Sequence, residues 1–411
     1  MNISKNSREL MTFFSKNKHV KYIRQSKITK NILNELYLNI LEAYNYVETN
    51  NTHKHSVKNI ISPSQIIKPK FFNASSFPEF IINHINNKMM TELVYSFSLH
   101  EREITVYFVL ENGYVEKDLG IYNKYIELIK LWLYISNAYV SKKCAKTLKV
   151  YFYLTSLEKN LPSSNINILN EIHVNTAFTT TCPNDSEIIV FRKEEWFKVF
   201  IHETFHNLGL DFSIMDDNIV NDCILNIFKV KSDVNAYEAY TEFWAEIINS
   251  LICVFYEMKN KNDIDDFLSK TEIILNYERA YSMFQLVKTL DFMGLTYTDL
   301  YSNSNKSVVL RENLYKEDTN VLSYYIVKGL LMNNYQGFLS WCNTNNESLF
   351  DFKKTLNNQA KFCKFIERNY KIPSMILGVH ESQSFLSKIK KKKENVNNIL
   401  STMRMSICEL G

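Results

Sequence analysis

The sequence predicts an α+β fold: a small mixed sheet, a buried helix and a downstream carboxylate-bearing helix, then a predominantly helical C-terminal region. Three observations lead there. Glycine (8) and proline (6) are scarce in 411 residues, which disfavours a tightly turned sandwich or barrel and favours long helices. Runs rich in β-branched and aromatic residues cluster between residues 91 and 192, as strands require. From residue 196 onward the apolar residues fall mostly at helical spacing. A hydrophobic content of 45% is that of a globular chain.

In chain order, residues 1–90 read as a helical or irregular extension. Ile32 to Val47 has helical spacing, and a connector from Ser62 to Pro78 gathers prolines. Residues 91–258 read as the core. Leu93–Leu99 and Ile104–Leu110 form a hairpin about His100–Glu103, Tyr122–Val140 an amphipathic helix, and Leu148–Leu154 a third strand. Two short segments, Val174–Thr179 and Glu187–Arg192, flank a turn at Cys182–Ser186. Residues 259–411 read as a helical C-terminal domain, with a basic run at Lys390–Lys393 as a solvated helix face.

The stretch from Trp196 to Gly209 carries His202-Glu203-x-x-His206. Trp196, Phe197, Val199, Phe200, Ile201, Phe205 and Leu208 are too continuous for a surface helix, so the helix is expected to be buried. Glu194 and Glu195 fall where its first turn favours negative charge, and Gly209 where a left-handed cap is wanted. His202 and His206, four apart, leave one face and suit two ligands of a tetrahedral zinc. Glu203 is rotated off that face and suits the general base for a metal-bound water.

A third ligand is needed. One source is Asp211, just past Gly209. The other is the apolar helix beginning at Asn235, where Glu238, Glu242 and Glu246 form a stripe at i, i+4 and i+8. Like charges at that spacing repel, and a cation relieves them. Asn235 with Glu238 reads as a capping box, which leaves Glu242, one turn deeper, as the expected zinc ligand. Glu246 is then expected to orient an imidazole, with Glu238 and Asp211 as alternative ligands.

These residues resemble the zincin metallopeptidases, and within them the gluzincins, in which a Glu from a downstream helix completes the site. The metzincin pattern is followed only to Gly209, because Phe212 stands at its next ligand position. The run from about 148 to 250 also resembles uncharacterised metallopeptidase-like proteins of large DNA viruses. The resemblance implies a zincin-like core, one Zn2+ per chain and a metal-activated water that hydrolyses peptide bonds of a peptide or protein substrate. It also implies an edge strand that holds an extended peptide through Asn175 and Ala177. Tyr237, Tyr240 and His380 remain open as oxyanion donors. Two other readings stay open: a catalytically inactive zincin fold with a structural or interaction role, and a non-peptide zinc amidase.

The net charge of +4 gives no argument for nucleic acid. No signal peptide and no membrane-spanning run is expected. Seven cysteines with no Cys-x-x-Cys argue against a disulfide framework and for a reducing intracellular compartment, cytoplasm or, for a viral chain, host cytoplasm or virion.

Overall fold

The computed structural model describes residues 1–72, 77–113, 118–140, 143–216, 218–391 and 397–411. The chain opens with α1 (Lys5–Lys16), α2 (Lys27–Thr49), β1 (His55–Asn59) and α3 (Glu79–Lys88). The hairpin β2 (Thr91–Leu99) and β3 (Arg102–Leu110), α4 (Leu119–Asn137) and β4 (Thr147–Tyr153) follow. Next come β5 (Leu169–Asn170), α5 (Glu171–Val174), β6 (Ala177–Thr179) and β7 (Asp185–Val190). The motif helix is α6 (Trp196–Asn207), then α7 (Asn218–Ile227), α8 (Ala236–Glu257) and α9 (Ile264–Phe292). The rest is α10 (Tyr297–Tyr301), α11 (Asn305–Leu314), β8 (Glu317–Asp318), a π-helical turn (Leu322–Val327), α12 (Lys328–Asn333), α13 (Tyr335–Asn345), α14 (Leu356–Asn369), α15 (Pro373–Lys390) and α16 (Asn397–Ser401). Among the described residues no helix is long and apolar enough to cross a membrane.

Six strands form one mixed sheet in the order β1-β2-β3-β4-β7-β6. β3, β4 and β7 run parallel, and the pairs at both ends are antiparallel. Alternation divides the side chains by face. Val106, Phe108, Val150, Phe152, Ile188 and Val190 enter the main core with α4 and α6, while Val109, Tyr151, Tyr153, Ile189 and Phe191 pack under α3 and the connector at Ile66 and Phe72. The first 90 residues thus give the sheet its β1 strand, and α2 buries Leu33, Leu36, Tyr37 and Ile40 against the core. Lys390, at the head of the basic run, pairs with Asp291; residues 392–396 lie outside the described residues.

α6 is buried along its whole length, between the sheet and α8. Gly209 after it has φ +68°, the expected left-handed cap. Glu194 and Glu195 do not serve its first turn. Glu195 precedes the helix with φ 57°, and its carboxylate pairs with Lys159 and accepts from the Met405 and Ser406 amides. The C-terminal residues 402–411 are drawn into the core there, and Glu278 accepts from the Ile407 and Cys408 amides beside them.

Cys144 and Cys182 form a disulfide, which runs against the expectation of no disulfide framework and removes the cysteines' argument for a reducing compartment. The cause is the parallel register of β4 and β7. Thr147 faces Asp185, so the residues three before each lie side by side. The bridge sits against Gly209, where a Cβ in place of the glycine hydrogen would lie 3.5 Å from the Cys182 Cβ.

Burial against Phe385, on which His19 stacks at 4.2 Å, pushes the His19 imidazole down to about 4; Arg279 adds to the fall and Glu381 opposes it. A base with a lowered folded pKa stabilises fully above its unfolded value of 6.5, and that stability is lost as pH falls towards 4. Urea denaturation at pH 7 and pH 4.5 should therefore show the wild type losing about 2 kcal/mol more than His19→Phe. Equal losses would mean His19 does not carry this dependence.

Candidate metal centre

Every residue of α6 is buried, as are all of α8 but Tyr237 and the last two residues. Two apolar helices in contact would pack through aliphatic side chains, but here the shared seam is polar. His202 Nε2 lies 3.1 Å from His206 Nε2, and a single oxygen, Glu238 Oε2, lies 3.1 Å from the first and 3.3 Å from the second. Metal bonds of about 2.0–2.1 Å at the tetrahedral angle place ligand atoms about 3.3 Å apart. Buried His202, His206 and Glu238 therefore form a group that could hold a metal ion.

The other ring nitrogens are held as well. Glu242 Oε2 lies 2.9 Å from His202 Nδ1, and its second oxygen pairs with Lys198. Asp211 pairs with His206 Nδ1, while its Oδ1 accepts from the Ser213 amide at 2.9 Å and hydroxyl at 2.7 Å. Each imidazole thus has a carboxylate behind it, which fixes the ring and aims Nε2 at the common point.

The carboxylate that converges with the imidazoles is not the one expected from the sequence. Glu238, not Glu242, reaches both Nε2 atoms. The capping box that was to occupy it does not form, since Asn235 makes no side-chain cap and its side-chain amide donates to Asn320 instead. Glu242, one turn deeper, meets the far side of His202. Glu246 orients no imidazole: it pairs with Lys328 at 2.6 Å and accepts from Ser282. Asp211 is an orienting group in place of an alternative ligand.

The charges follow from these contacts. Burial pushes Glu238 up, but the imidazoles, His206 foremost, outweigh it and hold its carboxyl well below the usual range. Burial likewise opposes ionisation of Glu242, yet Lys198 and then His202 hold it at about 2. Burial would lower both histidines; Asp211 and Glu238 raise His206 well above its ordinary value, and Glu238 and Glu242 raise His202. Burial pushes Glu203 up to about 7, against the pull of the two imidazoles.

Of the expected oxyanion donors, Tyr237 sets its ring 5.7 Å from that of His206. Tyr240 donates to the Phe350 carbonyl in the core, and His380 is exposed on α15. Tyr324, which the sequence did not single out, lies in the π-helical turn, a distortion common at functional sites. Its hydroxyl donates to Glu238 Oε2 at 3.0 Å. No sequence signal marks it, 86 residues from Glu238. Lys198 had one: a lysine four residues before His202 in an otherwise apolar stretch.

A small cavity opens beside His202 and Glu203, bordered by Asn175, Ala177 and Tyr324. Asn175 is held by its neighbours: its side-chain oxygen accepts from Thr319 and its carbonyl from Arg192. Ala177 begins β6, the outer strand. The Phe191 amide bonds the Thr176 carbonyl, so by antiparallel alternation the main-chain groups of Ala177 face away from β7. Neither family models, nor curated proteins, nor solved structures match this chain.

Chelator competition on two variants tests the ligand assignment. Glu238→Gln should lower metal affinity by more than about a hundredfold, whereas Glu242→Gln should cost about 10–100-fold, as losses of an orienting carboxylate do. Glu242→Gln should also destabilise the metal-free protein by about 3–5 kcal/mol, because Lys198 is left buried and unpaired. A larger affinity loss from Glu242→Gln would return Glu242 to the ligand position.

Proposed function

We propose that this chain is a zinc-dependent peptide hydrolase of the zincin type, with His202, His206 and Glu238 as the zinc ligands. The observation that carries the reading is the convergence of two Nε2 atoms and one carboxylate oxygen at metal-ligand spacing, each imidazole backed by its own carboxylate. Charge supports it. Of Glu238, Glu242 and Asp211 only Glu242 is paired with a lysine, Lys198, so the cluster is acidic and a divalent cation would offset it; the same carboxylates raise both histidines. Two nitrogens and one oxygen suit zinc in a catalytic site that keeps a fourth position open.

Bound zinc supplies Lewis acidity, lowering the pKa of water and polarising the substrate carbonyl. The chain's own residues do the rest. Glu203, next to His202 on the buried helix, takes the proton of the attacking water and passes it to the leaving amine. Tyr324 joins Tyr237 as a candidate donor, while Tyr240 is bonded in the core and His380 is exposed. Burial first, and then Glu238, Glu203 and Glu242, keep the Tyr324 hydroxyl protonated; with Glu238 Oε2 committed to the metal, the hydrogen it gives that oxygen would turn to the oxyanion as the carbonyl carbon becomes tetrahedral. Strand β6 offers the main chain of Ala177 to an extended peptide.

Glu203→Gln should keep stoichiometric zinc and lose turnover of a peptide library by about 10²–10⁴-fold. Tyr324→Phe should lower kcat by at least about tenfold with KM little changed. His202→Ala and His206→Ala should lose the metal. Full hydrolysis by the zinc-loaded Glu203→Gln protein would rule out this mechanism.

A further inference from the structure

The cavity beside His202 and Glu203 has a volume of only about 30 Å³. That is the space of one or two waters. Its walls are Val174, Thr176, Ala177, Val199, Tyr324 and Met405. Val174 and Met405 come from segments far apart in sequence, and both are almost fully buried, at 1% and 4% exposure. Lys159 and Lys198 also border it, with their ammonium groups paired with Glu195 and Glu242, and Glu203 borders it on the side of the motif helix.

The backbone that carries the Met405 wall is fixed. Its amide donates to Glu195, its carbonyl accepts from Lys328 at 3.1 Å, and the next amide donates to Glu195 at 2.7 Å. The ion pairs of Glu195 with Lys159 and of Lys328 with Glu246 are buried, so moving Met405 aside would uncover paired charges in the core. Val199 is held on α6, one turn before His202. Thr176 also lines the cavity, and its buried hydroxyl has no hydrogen-bond partner.

A peptide laid along Ala177 passes over this cavity on its way to Glu203. We infer that the cavity is a side-chain subsite next to the scissile bond that admits only small residues: glycine, alanine or serine. This rests on the hydrolase reading above and adds the substrate class to it. Leucine or phenylalanine would need Met405 or Val174 to move, and lysine or arginine, longer still, would not fit.

The test is cleavage-site profiling of the full-length, zinc-loaded protein on a peptide library randomised on both sides of the scissile bond. Binding of uncleaved alanine- and leucine-containing peptides to Glu203→Gln is measured in parallel. In the wild type, one flanking position should favour glycine, alanine and serine over leucine by about tenfold or more, and binding should follow the same order. Met405→Ala should reduce that preference to about threefold or less, and Val174→Ala, a smaller change on the opposite wall, should reduce it in the same direction. Cleavage that favours leucine or phenylalanine at both flanking positions would overturn the small-residue subsite and leave the hydrolase reading standing. So would a profile unchanged in both folded variants. No cleavage of any peptide by the zinc-loaded wild type would overturn the hydrolase reading, and the subsite with it.

Discussion

The structure depends on a polar seam between two buried helices. α6 and α8 meet through His202, His206, Glu238 and Glu242, where side chains of their surroundings would ordinarily be aliphatic. Buried ionisable groups are tolerated only when they are paired and hydrogen-bonded. Every member of this seam has such partners: Glu242 has Lys198, His206 has Asp211, and Glu238 has Tyr324. The seam is therefore rigid before any ligand arrives, which is the condition for a site that must hold its donor atoms in place.

The same demand spreads outward. Lys198 lies in the field of Glu195 as well as Glu242, and Glu195 in turn holds Lys159 and the amides of Met405 and Ser406. Glu246 and Lys328 form a second pair one turn along α8, and Lys328 also binds the Met405 carbonyl. The C-terminal residues are thus bound by buried carboxylates and a lysine that also frame the candidate site. A segment remote in sequence from the histidine motif becomes a wall of the cavity beside it, and the geometry of that wall is set by electrostatics as much as by packing.

The sheet has a simpler part. Its parallel centre, β3-β4-β7, brings the chain to the start of α6, and its outer strand β6 lies along the cavity. The connection from β4 to β7 carries Cys182 to Cys144 by register alone. Equal spacing ahead of two adjacent parallel strands was present in the sequence, but it has meaning only once those strands are known to be neighbours. A count of cysteines carries no such information, which is why it pointed the other way.

Local periodicity determined much of this protein. The hairpin at 91–110, the third strand, the buried histidine helix and the left-handed turn at Gly209 all follow from nearest-neighbour sterics and the burial pattern of short stretches. Helix pitch by itself puts His202 and His206 on one face. Pitch also puts Glu238, Glu242 and Glu246 in one stripe, and there it is silent, because the three are equivalent along an isolated helix. Tertiary structure decided among them. The height at which α8 crosses α6 brings Glu238 to the two Nε2 atoms, sets Glu242 behind His202, and sends Glu246 to Lys328. Tyr324 and Met405 belong to that same class of decision, since contacts across 86 and more residues depend on how helices pack and not on any spacing a single segment can display.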